Sequence, residues 1–551
     1  MYGSVVGTAM TVALPKRGPG DIKAGQTVSV TILAEGPLGA AGKEPLTAQV
    51  RIPVERLRRG PTGHRYAVHI RKWRGTTVST VTLTRQGDPW QLVSEPPGSG
   101  LRELLDDTRF LAQHVYGVAM STLDIFESTL GRRMPWNPEG RVVLKARDLV
   151  TATDTGYERG TNIIRFGSVG RLGYKVPMAL YRDIVAHEVT HAILDGFRPA
   201  WADQMATTEQ LAMHEALADL VAILSVFSSW EVVHRQLEVA AADLLMGGAD
   251  DAVLSSSLFD FARGLLARGP LRQPFVGAVP EGWRSIPEPH QQGAVVVGAV
   301  LRAVGRLWSE RNARFGDGQN LQQKAESGSI VATRILKMVI RGLSYMPPVD
   351  VSWRDLLRGI IAADVDMVPE DPYGYREAIQ EEFAAIGIRR VSANNISGVE
   401  NYLGLRYPIR LSALGSDPQE VQRFVWENPR LLEAARLERR TPLSSTRVRT
   451  SERVSPDGFI ISEIGASFIQ TVRMSRREAK VRLGLLTERD YIDIRGGGLL
   501  RFDAGGRLVY AALKPVMDRG RQGQLFGSDE HHDAEVAASQ EVRNKFHGTG
   551  S

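Results

Sequence analysis

Two short stretches of this sequence carry residue types that bind metal ions. The first is His187-Glu188-Val189-Thr190-His191, an H-E-x-x-H pattern. Residues four apart lie on one face of a helix, so both imidazoles can face one zinc ion at about 2.0–2.1 Å. Glu188 points in a neighbouring direction, where it can accept a proton from a metal-bound water that attacks a carbonyl group.

The second stretch lies downstream, where Glu215 and Asp219 stand four apart on one face of a predicted helix. Thr207 and Gln210 have the pattern of a capping box, which marks the beginning of that helix. A zinc ion that does chemistry keeps three protein ligands and one open position, and Glu215 would be the third ligand. The alternative is an exposed helix face that carries two ordinary carboxylates.

Together the two stretches resemble the thermolysin-like zinc metallopeptidases, which belong to the gluzincins. That family carries H-E-x-x-H on one helix and N-E-A-x-x-D on the next. This chain has its H-E-x-x-H at His187–His191 and then His214-Glu215-Ala216, followed by Asp219. The resemblance implies that His187, His191 and Glu215 bind zinc.

The resemblance also assigns roles to the polar residues around these ligands. It implies that Glu188 is the general base and that Asp219 orients His187. His214 departs from the family pattern, because the family has Asn at this position, and it is either a group behind the ligands or a tolerated change. Neighbouring helix positions point about 100° apart, so we do not expect His214 to replace Glu215 as a ligand.

Two further residues match family positions that contact the substrate. Asn162 is similar to the Asn that grips the substrate backbone on an edge strand, although an ordinary polar residue at the start of a strand fits equally well. His290, in a predicted loop before a helix, is similar to the histidine that donates a hydrogen bond to the oxyanion. Glu288 is a candidate for keeping His290 charged, and the alternative is a histidine on a surface loop.

Other family features have weaker counterparts. The sequence has no Tyr between His191 and Glu215, where the family uses one at the oxyanion, and we expect Trp201 to pack rather than to replace it. Calcium is not supported, because Asp183 fits one family ligand position without a cluster of carboxylates around it. Three residues are candidates for the family's substrate-binding arginine: Arg263, Arg268 and Arg272.

The amino-acid composition indicates a globular protein and excludes the kinds of site that need cysteine. The chain has 551 residues, of which 43% are hydrophobic and 24% charged, as in globular proteins, with a net charge of +6. It has no cysteine, which excludes disulfides, thiol nucleophiles and cysteine metal sites. We find no pattern of a secretory signal and no apolar run long enough to span a bilayer, so we expect a cytoplasmic protein or one exported by a signal-independent route.

The patterning predicts an α+β multidomain protein. Its core would be thermolysin-like, with a mixed lobe that ends in an edge strand and a mainly helical lobe. Strands are predicted at 27–33, 78–84, 141–145 and 162–166, and a long amphipathic helix at 101–130. The four predicted parts are a β-rich domain at 1–97, the metallopeptidase domain at 101–388, an α+β domain at 389–518, and a polar tail at 519–551.

These features predict a zinc-dependent endopeptidase that hydrolyses peptide or protein substrates. The alternative is a binding or regulatory protein with a weak or vestigial metallopeptidase core, and the flanking domains offer surfaces for a protein partner. The basic segments 436–453 and 473–482 lack interleaved aromatic residues. We therefore expect a solvated basic face there rather than a nucleic-acid site.

Overall fold

The computed structural model describes residues 26–526, apart from residues 35, 38–44, 56, 59–60, 72–77, 80–100, 148–154, 172–173, 204, 248–278, 316–319, 393–395, 399–418, 455–457 and 459. The chain is an α+β multidomain fold. Several predicted features lie outside the described residues. They are residues 80–84 of the predicted strand at 78–84, the boundary expected between 97 and 101, the predicted tail from 527 onward, and the three candidate arginines Arg263, Arg268 and Arg272.

The larger domain contains a five-stranded mixed sheet and two antiparallel strand pairs. The sheet has the order β4-β3-β5-β7-β6, in which β3, β5 and β7 run parallel, and the pairs are β1-β2 and β8-β9. The strands are β1 (Thr27–Leu33), β2 (Thr47–Pro53), β3 (Tyr66–Arg71), β4 (Val78–Ser79), β5 (Val142–Arg147), β6 (Gly156–Glu158), β7 (Ile163–Arg165), β8 (Ser168–Arg171) and β9 (Tyr174–Pro177).

The strands before residue 97 belong to the same core as the predicted metallopeptidase domain. Strand β3 pairs in parallel with β5, and one hydrophobic core extends from Val30 to Val391. Within the described residues, the expected division at 97–101 therefore does not separate two hydrophobic cores. The reason is that β3 completes a sheet whose other strands come later in the chain, a long-range pairing that local patterning does not encode.

Helices cover the sheet and form the second lobe of this domain. The predicted helix at 101–130 is divided at Asp107, whose carboxylate accepts the backbone N–H groups of Arg109 and Phe110, and it ends at Gly131 with φ 64°. The helices are α1 (Leu101–Asp106), α2 (Thr108–Leu130), α3 (Arg182–Phe197), α4 (Thr208–Phe227), α5 (Trp230–Gly247), α6 (Pro289–Phe315), α7 (Leu321–Gly342), α8 (Trp353–Met367) and α9 (Tyr375–Ala385).

The C-terminal domain is an antiparallel four-stranded sheet with short helices and its own hydrophobic core. One long strand of 16 residues spans Ile460–Ser475. The first residues of the predicted tail, Arg519–Leu525, form a helix that buries Gln522. The elements are α10 (Gln419–Glu427), α11 (Pro429–Ala434), β10 (Ser445–Val454), β11 (Ile460–Ser475), β12 (Tyr491–Phe502), β13 (Leu508–Lys514) and α12 (Arg519–Leu525).

One buried arginine joins the C-terminal sheet to the larger domain. Arg495 on β12 forms ion pairs with Asp203, at 2.7 Å, and with Asp350, at 3.2 Å. A small apolar cluster lies beside it, in which the Tyr510 hydroxyl donates to the Tyr345 carbonyl at 2.8 Å. Because a buried charge is costly without its partner, these pairs fix how the sheet sits against the segment that follows α3.

Helix α4 is long and apolar enough to cross a membrane, and it is the one such helix among the described residues. Most of its apolar window, 89%, is buried inside the protein. Core helices of this kind pass the same test of length and hydropathy, so α4 is weak evidence for a membrane span.

Close packing at the end of α3 generates a stability prediction. A Cβ atom added to Gly196 would lie 2.0 Å from the Pro135 carbonyl oxygen and 3.1 Å from the Trp136 Cα, which are both backbone atoms. We expect Gly196→Ala to lower the free energy of unfolding by about 1–3 kcal/mol, because this backbone segment cannot move aside easily. Thermal unfolding followed by circular dichroism measures this change.

The matched control is Gly170→Ala in strand β8, where an added Cβ meets no heavy atom within 4 Å. This variant should unfold at the wild-type temperature or slightly above it, since Ala restricts the unfolded chain more than Gly does. Equal unfolding temperatures for the two variants would contradict the packing argument.

Candidate metal centre

The two predicted metal-binding stretches meet inside the larger domain, on helices α3 and α4. Every residue of α3 from Arg182 to Phe197 is buried, so His187 and His191 do not lie on a solvated helix face. Glu215 reaches the same point from α4, which begins with the predicted capping box between Thr207 and Gln210. A surface helix with ordinary carboxylates is therefore excluded.

The three predicted ligands form a small triangle of donor atoms. The Nε2 atoms of His187 and His191 lie 2.9 Å apart, and Glu215 Oε2 lies 3.4 Å from the first and 3.3 Å from the second. Tetrahedral zinc with bonds of about 2.0–2.1 Å would place its ligand atoms about 3.3 Å from one another. His187, His191 and Glu215 could thus hold a metal ion, and two nitrogens with one carboxylate oxygen are a donor set that suits zinc.

Asp219 orients the first histidine. Its Oδ1 lies 2.8 Å from His187 Nδ1, one turn of α4 beyond Glu215. The Nδ1–H group therefore donates to this carboxylate, and the Nε2 lone pair is left facing the triangle. Burial raises the pKa of the neighbouring Asp183 to about 6, an effect that two backbone N–H groups and His187 partly offset.

His214 contacts the second histidine. Its Nδ1 lies 2.7 Å from His191 Nδ1, and the two ring planes are within 6° of parallel. Because His191 Nε2 faces the triangle, its Nδ1 carries the proton and donates to His214. Of the two readings left open for His214, the structure therefore supports a group that positions a ligand, and Glu215 remains the carboxylate of the triangle.

Glu188 is held by the backbone of an edge strand. Its Oε2 accepts the N–H of Tyr157 at 2.9 Å, and Tyr157 is the central residue of β6. The side chain is buried, with 4% of the residue exposed. Sequence reasoning missed this contact, because a strand of three residues is too short to show a periodic pattern.

The structure corrects the expectation for Asn162. Among the described strands, β7, which follows it, lies between β5 and β6, and β6 is the edge on this side of the sheet. Asn162 occupies the turn between β6 and β7 with φ 53°, and its amide donates to the Pro138 carbonyl at 2.5 Å. This left-handed backbone conformation is one that Asn adopts more readily than most residues, so Asn162 suits the turn, and its contact with a substrate stays a prediction.

Tyr157 and Asp195 form the buried network into which Asn162 fits. The Tyr157 hydroxyl lies 3.1 Å from Asp195 Oδ2 and 3.4 Å from Asn162 Oδ1. Arg159 pairs with the other Asp195 oxygen at 2.8 Å. The network ties β6 to the last turn of α3, and it therefore fixes the strand that holds Glu188.

His290 lies at the same centre, on the first turn of α6 rather than in a loop before it. Its Nε2 is 3.1 Å from Glu215 Oε2, and its Nδ1 contacts Glu288. Burial would raise the pKa of Glu288, but the hydrogen bond and charge of His290, together with two backbone N–H groups, lower it. Helix α6 approaches α4 closely at Gly293, where a Cβ atom would lie 2.7 Å from the Ala212 carbonyl oxygen.

Trp201 packs, as expected, and does not take the place of an oxyanion donor. The residue is fully buried, and its indole N–H donates to the Pro347 carbonyl at 3.2 Å. Since this one donor is already used, the indole offers nothing to a substrate.

The contact between His214 and His191 predicts an effect on metal affinity. We expect His214→Phe to weaken zinc binding by about 10–100-fold, because the ring shape is kept while the acceptor for His191 is lost. Competition with a chromophoric chelator measures the dissociation constant. His214→Asn is the matched variant and should bind zinc nearly as well as the wild type, because its amide oxygen can accept the same proton. A dissociation constant unchanged in His214→Phe would contradict the positioning role.

Comparison with known proteins adds no family to this description. No model of a known protein family matches the chain, and no curated protein matches its sequence. The functional conclusion therefore depends on the geometry of the centre formed by His187, His191 and Glu215.

Proposed function

We propose that the protein is a zinc-dependent endopeptidase with a catalytic core of thermolysin-like architecture. The observation that carries this proposal is the triangle of donor atoms from His187, His191 and Glu215. Next to it lies the carboxylate of Glu188, which is hydrogen-bonded to the backbone of strand β6. A zinc ion bound there would supply Lewis acidity and a water of lowered pKa. Three protein ligands leave one coordination position for chemistry, whereas a structural site would use four.

The edge strand supports a peptide as the substrate. Of the strands that the structure describes, β6 has one neighbour in the sheet, β7, so the backbone groups on its other side that Glu188 does not use can pair with an extended peptide as an added strand. Because Glu188 is bonded to the backbone of β6, a peptide paired there would place a scissile bond next to this carboxylate.

Two residues of the chain would move or hold the protons of the reaction. Glu188 would accept a proton from the attacking water and pass it to the leaving amine. His290 would donate a hydrogen bond from Nε2 to the oxygen that becomes negative as the tetrahedral intermediate forms. The contact with Glu288 favours the charged imidazolium, which is the stronger donor.

A second candidate function is that of a binding or regulatory protein with a weak or vestigial peptidase core. The sequence has no Tyr between His191 and Glu215, where the thermolysin-like family has one of its oxyanion donors. This difference favours the second function. Losing one such donor costs about 10²–10³ in rate. A purified protein that binds zinc tightly and cleaves no peptide in a diverse library would support this second function.

Replacing the proposed base separates catalysis from metal binding. Glu188→Gln should lower peptide hydrolysis by about 10²–10⁴-fold, because the amide cannot accept the proton of the attacking water. Zinc should stay bound, because residue 188 is not one of the three proposed ligands. Cleavage of a fluorogenic peptide library and metal analysis of the same sample measure both properties. The control is Glu326→Gln on the exposed face of α7, which should keep full activity. Wild-type activity in Glu188→Gln would remove Glu188 from the mechanism.

Replacing His290 tests the proposed oxyanion contact. His290→Ala should lower kcat by about 10²–10³-fold with little change in KM, because the hydrogen bond forms mainly in the transition state. Glu288→Gln should show a smaller decrease, since the imidazole remains in place. A rise in KM at unchanged kcat for His290→Ala would show that His290 binds the substrate and does not stabilise the transition state.

A further inference from the structure

A cavity of about 280 Å³ lies between the end of α3 and the C-terminal sheet. It is separate from the metal centre, and its wall is rich in arginine and hydroxyl groups. The cationic side chains are Arg159, Arg198, Arg447 and Arg495, against a single carboxylate, Asp203. Hydroxyl groups of Ser444, Ser445, Ser467 and Thr471 belong to the same wall.

Two of the four arginines are neutralised within the protein. Arg159 pairs with Asp195 at 2.8 Å, and Arg495 pairs with Asp203 and Asp350. These pairs use the cavity's one carboxylate and leave it unavailable to the other cations. The positive charge that faces the cavity therefore comes from Arg198 and Arg447.

Arg198 is buried without an anionic partner. Only 5% of the residue is exposed, and its Nε makes no hydrogen bond. In the part of the chain that the structure describes, no carboxylate forms an ion pair with Arg198 or with Arg447. The guanidinium of Arg198 stacks on the Phe197 ring, 4.5 Å from its centroid, which compensates only part of the lost hydration.

The charged groups that act on Arg198 are other arginines. Burial and then the charges of Arg449 and Arg447 lower the pKa of Arg198 to about 9, which leaves it charged at neutral pH. Arg447 donates one long hydrogen bond, of 3.4 Å, to the Gly196 carbonyl. Burial lowers the pKa of Arg447, and the charge of Asp195 offsets part of this effect. Arg198 has only cations as charged neighbours, and a buried charge without a partner is strongly unfavourable, so Arg198 favours an anion that binds from outside the chain.

We propose that this cavity is a binding site for a small phosphate-bearing molecule, held by Arg198 and Arg447. Phosphate carries a charge near −2 at neutral pH, which two unpaired guanidinium groups would balance, whereas one carboxylate would balance only one of them. The hydroxyls of Ser445 and Ser467, in the same wall, can donate to the remaining phosphate oxygens. The volume lies just below the range of about 300–1000 Å³ for drug-sized ligands, so the cavity admits free phosphate or a small phosphate ester.

The test is a titration of the full-length, metal-loaded protein with inorganic phosphate at constant ionic strength. We expect saturable binding by calorimetry and a rise in unfolding temperature beyond that caused by chloride. Glycerol phosphate in a second titration distinguishes an ester from free phosphate as the preferred ligand. Failure of both probes to bind the wild-type protein would overturn the proposal.

Arg198→Met is the decisive variant. It should bind phosphate at least about tenfold more weakly, because a charged hydrogen-bonding group is lost. It should also unfold at a higher temperature than the wild type when phosphate is absent, since an unpaired buried charge has been replaced by an apolar chain. An arginine with a purely structural role would give the opposite result, a lower unfolding temperature at every phosphate concentration.

Two further variants guard against misfolding and against general charge effects. Arg447→Met removes the second unpaired cation, is less buried than Arg198, and should weaken phosphate binding in the same direction. Arg477→Met removes one exposed positive charge from the same domain and should leave binding unchanged. Equal weakening in Arg477→Met and Arg198→Met would show that phosphate responds to net charge and not to the cavity.

Discussion

The convergence of three polar side chains from two neighbouring helices, α3 and α4, constrains how the other elements of this protein are arranged. His187 and His191 lie on α3, where every residue is buried, and Glu215 meets them from α4. Buried imidazoles and carboxylates are costly unless each atom has a partner. The partners are present, because Asp219 accepts a hydrogen bond from His187 and His214 accepts one from His191. The core is thus arranged so that the remaining atoms of these residues face one common point.

Other elements are positioned by what they add to this point. The edge strand β6 holds Glu188 through a backbone N–H, and the buried pair of Tyr157 and Asp195 holds β6 against α3. Helix α6 brings His290 next to Glu215, and the absence of a side chain at Gly293 lets it pack closely on α4. Each contact uses a rigid element, which suits a site whose groups must be placed to within fractions of an ångström.

The C-terminal domain is attached through charge rather than through a large apolar surface. Arg495 inserts between Asp203 and Asp350, and the apolar contact beside it is small. The arginine-rich cavity lies between the same two domains. The segment just after α3 therefore lies next to both the helix that carries His187 and His191 and the C-terminal domain. Binding of an anion at Arg198 would therefore occur at the end of the helix that carries His187 and His191.

The sequence by itself determined the elements whose signals are local. The spacing of His187 and His191, the capping box before α4, and the end of the long helix at 130 were readable because helix geometry depends on neighbours within one or two turns. The predicted ligand set, and Glu288 as the partner of His290, correspond to contacts in the structure.

Only the tertiary structure decided which strands are neighbours and which charges are paired. It joined β3 to β5 across the expected domain boundary and made β6 the edge of the sheet, moving Asn162 into a turn. It also brought Arg198 next to Arg447, although the two lie far apart along the chain. These facts depend on contacts between distant segments, which carry no periodicity or spacing that a single sequence reveals.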